Sequence, residues 1–188
     1  KFILQKDDID YAKDFLKEKS ITEDDLVIGF HPGCNTLKNH EKRRWETEKF
    51  AALANLLTEN HNAKIFLFGG TEEQVLKDKI LSKSKSKNVF PVLAFSLRQT
   101  AALIKRCKIF VTNDSSLMHV ASSLKIKTVA IIGPTNVNYI HPWQTEYEIA
   151  SLNLDCSPCF FYSPKPLSCS RKDIQFKCIK DLSVELVY

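Results

Sequence analysis

Five short runs along the chain are apolar at nearly every position: residues 26–30, 64–68, 88–90, 108–111 and 128–132. A strand with one wet face would alternate, so runs that are apolar throughout predict strands covered on both sides, as in a parallel sheet. Between them the apolar residues recur at helical spacing. Phe50, Leu53, Ala54 and Leu57 form one stripe, Leu97, Ala101, Leu103 and Ile104 a looser one, and Leu117, Val120, Ala121 and Leu124 a clean one. Alternation of the two periods predicts successive βαβ units that close right-handed into an open sheet. The expected fold class is α/β: a Rossmann-like, mostly parallel sheet with helices on both faces. Residues 1–25 read as an amphipathic leading helix, and the Lys- and Ser-rich tract 82–87 reads as a solvated loop.

Ligands of such sheets sit in the crevice at the carboxyl ends of the strands, so the residues after each run carry the functional reading. Four strand ends are unusual: His31-Pro32-Gly33, Gly69-Gly70-Thr71-Glu72, Asn113-Asp114-Ser115-Ser116 and Gly133-Pro134-Thr135. All four are expected on one rim.

The third opens the cleanest helix. The first N–H groups of a helix have no partner within it and its dipole adds positive partial charge, so this turn predicts an anion site. A capping role for Asp114 or Ser115 explains a short polar residue there equally well. At ~100° per residue, the stripe on Leu117, Val120, Ala121 and Leu124 puts Ser115 and His119 on the opposite face, so His119 reads as facing the pocket. Lys42-Arg43-Arg44-Trp45 follows a loop and precedes a helix; cations there could reach a phosphate while the indole packs beneath them. Gly69-Gly70 permits a sharp turn after its strand, and Glu72 stands where a carboxylate can accept both hydroxyls of a ribose.

Composition narrows this further. The 188 residues are 44% hydrophobic and 26% charged, which suits one α/β core. No apolar run approaches the ~18 to 20 residues of a membrane span and no signal stretch follows Lys1, so a cytosolic protein is expected. A polar opening without Met reads as a piece of a longer polypeptide. The net charge of +5 suits phosphate-bearing ligands or an anionic membrane face, although exposed Lys-rich helices give the same total. Nucleic acid is disfavoured as a partner, because the aromatics fall in core strands with no stacking platform among basic residues. The chain has no His and carboxylate constellation, no Gly-x-Ser-x-Gly elbow and no Gly-x-x-x-x-Gly-Lys loop, which argues against metal hydrolase, esterase and NTPase chemistry. Cys156, Cys159, Cys169 and Cys178 crowd the last third while Cys34 and Cys107 stand alone, unlike a disulfide framework. Structural zinc at the four is an alternative, against which stand Pro158 inside the first pair and the wide spacing of the second.

Taken in order and spacing, His31-Pro32-Gly33, Lys42-Arg43-Arg44-Trp45, Gly69-Gly70-Thr71-Glu72, the run from Asn113 to His119 and Gly133-Pro134-Thr135 resemble glycosyltransferase family 9. That family includes the ADP-heptose:lipopolysaccharide heptosyltransferases, and the likeness runs from about Leu26 to the C-terminus, tail cysteines included. The resemblance implies the second, donor-binding half of a two-domain GT-B enzyme. Its organisation would be a leading helix over 1–25, a nucleotide-sugar-binding domain over 26–155 and a Cys-containing extension over 156–188 packed on that domain. It implies inverting transfer from a nucleotide sugar, ADP-heptose, to a lipid-linked lipopolysaccharide core acceptor. The work would be done in the cytoplasm, at the inner membrane's cytoplasmic face, without cofactor or metal. The general base would lie in the absent N-terminal domain, so no catalytic residue is assigned here. Residue by residue, the resemblance implies that Arg43, with Lys42 beside it, contacts the diphosphate, Glu72 the ribose, Phe95 the adenine and Asp114 the sugar hydroxyls. Ser115, Ser116 and His119 would line the diphosphate and sugar site. Two positions depart from the pattern: Ser116 stands where the family usually has Gly, and Arg43 where it usually has Lys. A stand-alone nucleotide-binding module and another GT-B sugar-nucleotide enzyme are the alternatives, the run from Asn113 to His119 arguing against the latter.

Overall fold

The computed structural model describes residues 3–161 and 165–188. Strands β1 (Val27–His31), β2 (Lys64–Leu67), β3 (Val89–Pro91), β4 (Ile109–Asn113), β5 (Lys127–Ile131) and β6 (Tyr147–Ala150) form one sheet in the order β3-β2-β1-β4-β5-β6. Every pairing is parallel. The first five strands fall on the five apolar runs. The sixth is an addition to the sequence reading: Tyr147 and Glu148 are exposed and only Ala150 is buried, so this edge strand carries no apolar run to betray it.

Apolar strands are sorted between faces by their two-residue period. Ile28, Phe30, Ile65, Leu67 and Val111 join one core cluster, which includes Phe50, Leu53 and Ala54 of α2 (Thr47–His61) and Ile80 of α3 (Gln74–Lys83). Val27, Phe66, Phe68 and Phe110 join the other, with Ala12 and Phe15 of α1 (Lys6–Glu18), Leu103 of α4 (Leu97–Ile104), and Leu117 and Ala121 of α5 (Ser116–Ser123). Both faces are thus covered by helices, as the apolar runs require. Two local readings change. Helix α3 reaches Lys83 and so takes in the start of the 82–87 tract. Leu97, assigned to a core stripe, is exposed at the first position of α4.

The chain ends on the first face. Helices α6 (Lys177–Lys180) and α7 (Val184–Val187) contribute Cys178, Ile179 and Val187 to the cluster that contains α2. Gly133, just after β5, makes this possible: a Cβ there would lie 2.5 Å from Cγ1 of Ile179, closer than packed carbons approach.

The strand order reverses beside β1, which has β2 on one side and β4 on the other. Loops leaving the carboxyl ends of β1 and β4 therefore diverge to opposite faces and leave a crevice between them.

Candidate functional site

A cleft of about 920 Å³ lies at that point. Its wall takes His31 and Arg43 from the β1 side, Gly69, Gly70, Glu72 and Glu73 after β2, Phe95 and Leu97 around the start of α4, and Asp114, Ser115, Ser116, Leu117 and His119 after β4. Seven of the eight residues singled out from the sequence meet here. Lys42 does not: it is exposed on the turn before Arg43 and is no part of the wall.

Arg43 arrives by a 3-10 segment, Leu37–Arg43. It is buried, its Nη1 donates to Oδ2 of Asp114, and its guanidinium lies 5.3 Å from the Phe160 ring centroid. The same Oδ2 accepts a 2.7 Å bond from the Thr135 hydroxyl, which ties the turn after β5 to the site. Asp114 is thus a buried, shared anion, and a sugar hydroxyl would have to compete for it. Trp45 is placed differently from the sequence reading. Its indole does not support the cations but sits in the core at 1% exposure against Phe50, with Nε1 donating to the Leu182 carbonyl at 2.9 Å. Its backbone N–H donates to Asn113 Oδ1 at 2.9 Å, and Asn113 Nδ2 donates to the Pro32 carbonyl at 2.8 Å. One buried amide at the end of β4 therefore holds both ends of the connection between β1 and α2.

Helix α5 starts at the cleft, with Ser115 as its extended N-cap residue but without a side-chain cap. The Ser115 hydroxyl turns inward instead, 2.9 Å from His31 Nδ1 and 3.0 Å from Thr112 Oγ1. The face turned to the cleft is Ser116 and His119, three residues apart and both exposed, not the pair Ser115 and His119. The first N–H groups of α5 are offered beside them.

At the other end, Gly69 has φ of 145°, open to glycine alone, and lets the chain double back after β2. Glu73 Oε2 accepts from Gly70 N at 2.8 Å. Buried Lys77 donates to the carbonyls of Gly69 and Val92, each at 3.1 Å, and that burial lowers its pKa. These two bonds fix a rim from which Glu72 and Phe95 project. Phe95, at 91% exposure, presents a ring with a free face to the cleft. His31, Asn113, Glu73 and Lys77 were not among the residues singled out, although His31 and Asn113 stand inside the quoted motifs.

Charge decides how an anion is held. The cleft wall carries one guanidinium, Arg43, against the carboxylates of Glu72, Glu73 and Asp114. An anion entering the cleft would meet the oriented N–H groups at α5 as well as this guanidinium. Away from the cleft, the Cys178 thiol is pushed up to about 11 by burial and by neighbouring Cys159, Cys169 and Cys156. Among the described residues no group of three or more His, Cys, Asp or Glu is arranged to hold a metal ion.

Burial, then the Arg44 charge, lowers the His31 pKa to about 3. The ring is neutral in the fold, so on unfolding between about pH 3 and 6.5 it takes up a proton, and stability rises with pH across that window. The melting temperature should therefore fall as pH is lowered from 6.5 towards 3, and His31→Asn should flatten the fall. Thermal melts over this range check it; equal slopes in both proteins would contradict it.

The geometry meets known proteins at several points. Residues 2–167 match glycosyltransferase family 9 (heptosyltransferase). Over 164 residues the chain is 32% identical to lipooligosaccharide heptosyltransferase 2 of Campylobacter jejuni subsp. jejuni serotype O:2, covering 86% of this chain and 48% of the relative. The fold superposes on E. coli ADP-heptose lps heptosyltransferase II with a TM-score of 0.74 at 22% identity, covering 100% of this chain and 50% of that one. It superposes on E. coli heptosyltransferase WaaC with ADP at a TM-score of 0.58 and 21% identity, covering 74% and 42%. The chain spans about half the length of the curated relatives it matches. No helix among the described residues is long and apolar enough to cross a membrane. With a family match over most of its length and a fold that agrees, the chain belongs to glycosyltransferase family 9.

Proposed function

We propose that this chain is the donor-binding half of an inverting heptosyltransferase acting on the lipopolysaccharide inner core, with an ADP-heptose-like nucleotide sugar as its ligand. The observation that carries the reading is a cleft at the β1/β4 switch point that has an exposed aromatic and a carboxylate at one end and a helix N-terminus at the other. Phe95 would stack on the base, Glu72 accept from the ribose, and the first N–H groups of α5, with Ser116 and His119, meet the diphosphate. Arg43 would serve the diphosphate from within its pair with Asp114. In transfer, an acceptor hydroxyl attacks the anomeric carbon as its bond to the diphosphate breaks, and this half receives the charge of the leaving group. The base that takes the hydroxyl proton, and the lipid-linked acceptor, belong to the remaining half of the enzyme. The work is placed in the cytoplasm, at the membrane face where such acceptors lie. Residues 26–155 form the nucleotide-sugar domain in this reading and 156–188 its extension, supported by the packing of Cys178 and Ile179 in the same core.

Stacking of one base on an aromatic side chain contributes about 1–3 kcal/mol. Phe95→Ala is therefore expected to weaken ADP binding by roughly 5- to 150-fold with little effect on the melting temperature, because the ring is exposed. Calorimetric titration with ADP and UDP checks this, and unchanged ADP affinity would refute the placement of the base.

A further inference from the structure

His31 is held by a chain of hydroxyls whose protons can be counted. Thr112 Oγ1 donates to the Asn113 carbonyl at 2.8 Å, which uses its only proton. The 3.0 Å contact between Thr112 and Ser115 must then be donated by Ser115, which uses that proton too. Ser115 Oγ can only accept at its 2.9 Å contact with His31 Nδ1, so the ring nitrogen donates. With Nδ1 as the donor, the neutral ring that burial favours carries its lone pair on Nε2. Nε2 has no hydrogen-bond partner among the described residues, yet it is not among the fully enclosed polar atoms that lack one. His31 lines the cleft, so this edge of the ring is open to a ligand there.

A lone pair repels phosphate oxygens and welcomes a hydroxyl. We propose that His31 Nε2 accepts a hydrogen bond from a sugar hydroxyl of the bound nucleotide sugar, an inference that rests on the donor-binding reading above. It divides the ligand across the start of α5. Diphosphate oxygens face the N–H groups at Ser116 and Leu117, and a hydroxyl faces His31. The hydroxyl belongs to the ribose or to the transferred sugar, and both have the required O–H.

The test is a long-range proton–nitrogen correlation spectrum of the imidazoles, without ligand and saturated with ADP-heptose. The expected result is a proton on His31 Nδ1 in the free protein, and a bare Nε2 whose resonance moves on binding. His31→Asn removes that acceptor, and should weaken ADP-heptose by about 3- to 10-fold while leaving inorganic diphosphate unchanged. Equal weakening of ADP identifies the ribose as the source, and weakening of ADP-heptose alone identifies the transferred sugar. A proton on Nε2 in the free protein would overturn the inference and leave the donor-binding reading standing, as would an Nε2 resonance unmoved at saturation. No binding of ADP-heptose at all would overturn both. The spectrum uses the wild-type chain, so poor folding of the variant cannot decide the outcome.

Discussion

Asp114→Ala should cost about 3–5 kcal/mol, since removing one partner of a buried ion pair leaves the Arg43 guanidinium without its carboxylate where little solvent reaches it. Arg43 and Asp114 are 2% and 4% exposed, so solvent screening offers little relief. In a domain of this size each kcal/mol shifts the melting temperature by roughly 2–4 °C, which makes the expected drop about 6–20 °C. Asp114→Asn keeps the shape and still lets Thr135 donate, yet removes the charge, and should fall short of wild type as well. Replacing both partners with apolar residues should cost less than the sum of the single changes, because the uncompensated charge goes with them. Calorimetric melts of Asp114→Ala, Arg43→Met and their combination close the cycle; additive losses would show that the pair is not a unit.

Trp45→Ala should be comparable, at about 3–5 kcal/mol, the range for truncating a fully buried large aromatic. The ring fills the space between α2 and the chain end, and its Nε1 satisfies the Leu182 carbonyl. Trp45→Phe separates these roles. It retains much of the packing but leaves that carbonyl without its donor, for a loss of about 1–3 kcal/mol. Denaturant unfolding of both variants measures the difference. Equal stability of Trp45→Phe and wild type would mean the bond to Leu182 contributes nothing.

These two residues also mark where sequence was enough and where it was not. Strands apolar at every position announce themselves, which is why β1 to β5 were legible. The β6 strand is half polar and borrows its order from pairing with β5, a long-range effect no local pattern carries. Strand ends of a parallel sheet share a rim, which brought Glu72 and the α5 turn to one cleft, whereas the family resemblance alone pointed to Phe95 and picked Arg43 from its basic run. What spacing could not tell was direction. Lys42 and Arg43 are neighbours in the chain, yet the turn leaves one in solvent and buries the other against Asp114. The wheel placed Ser115 with His119 because it treats the cap residue as helical. Its extended φ of −152° instead turns the hydroxyl towards His31.

Backbone resonances of the chain, followed by NMR during titration with ADP, bear most directly on the claim that this cleft binds the nucleotide. The shifts should gather at Gly69, Gly70, Phe95 and the first residues of α5. A groove lined by Lys105, Arg106, Lys108, Lys125 and Lys127, with Glu23 and Glu146 beside them, is the natural competitor for an anion held by charge alone. Shifts confined to that groove, or none at all, would contradict the account.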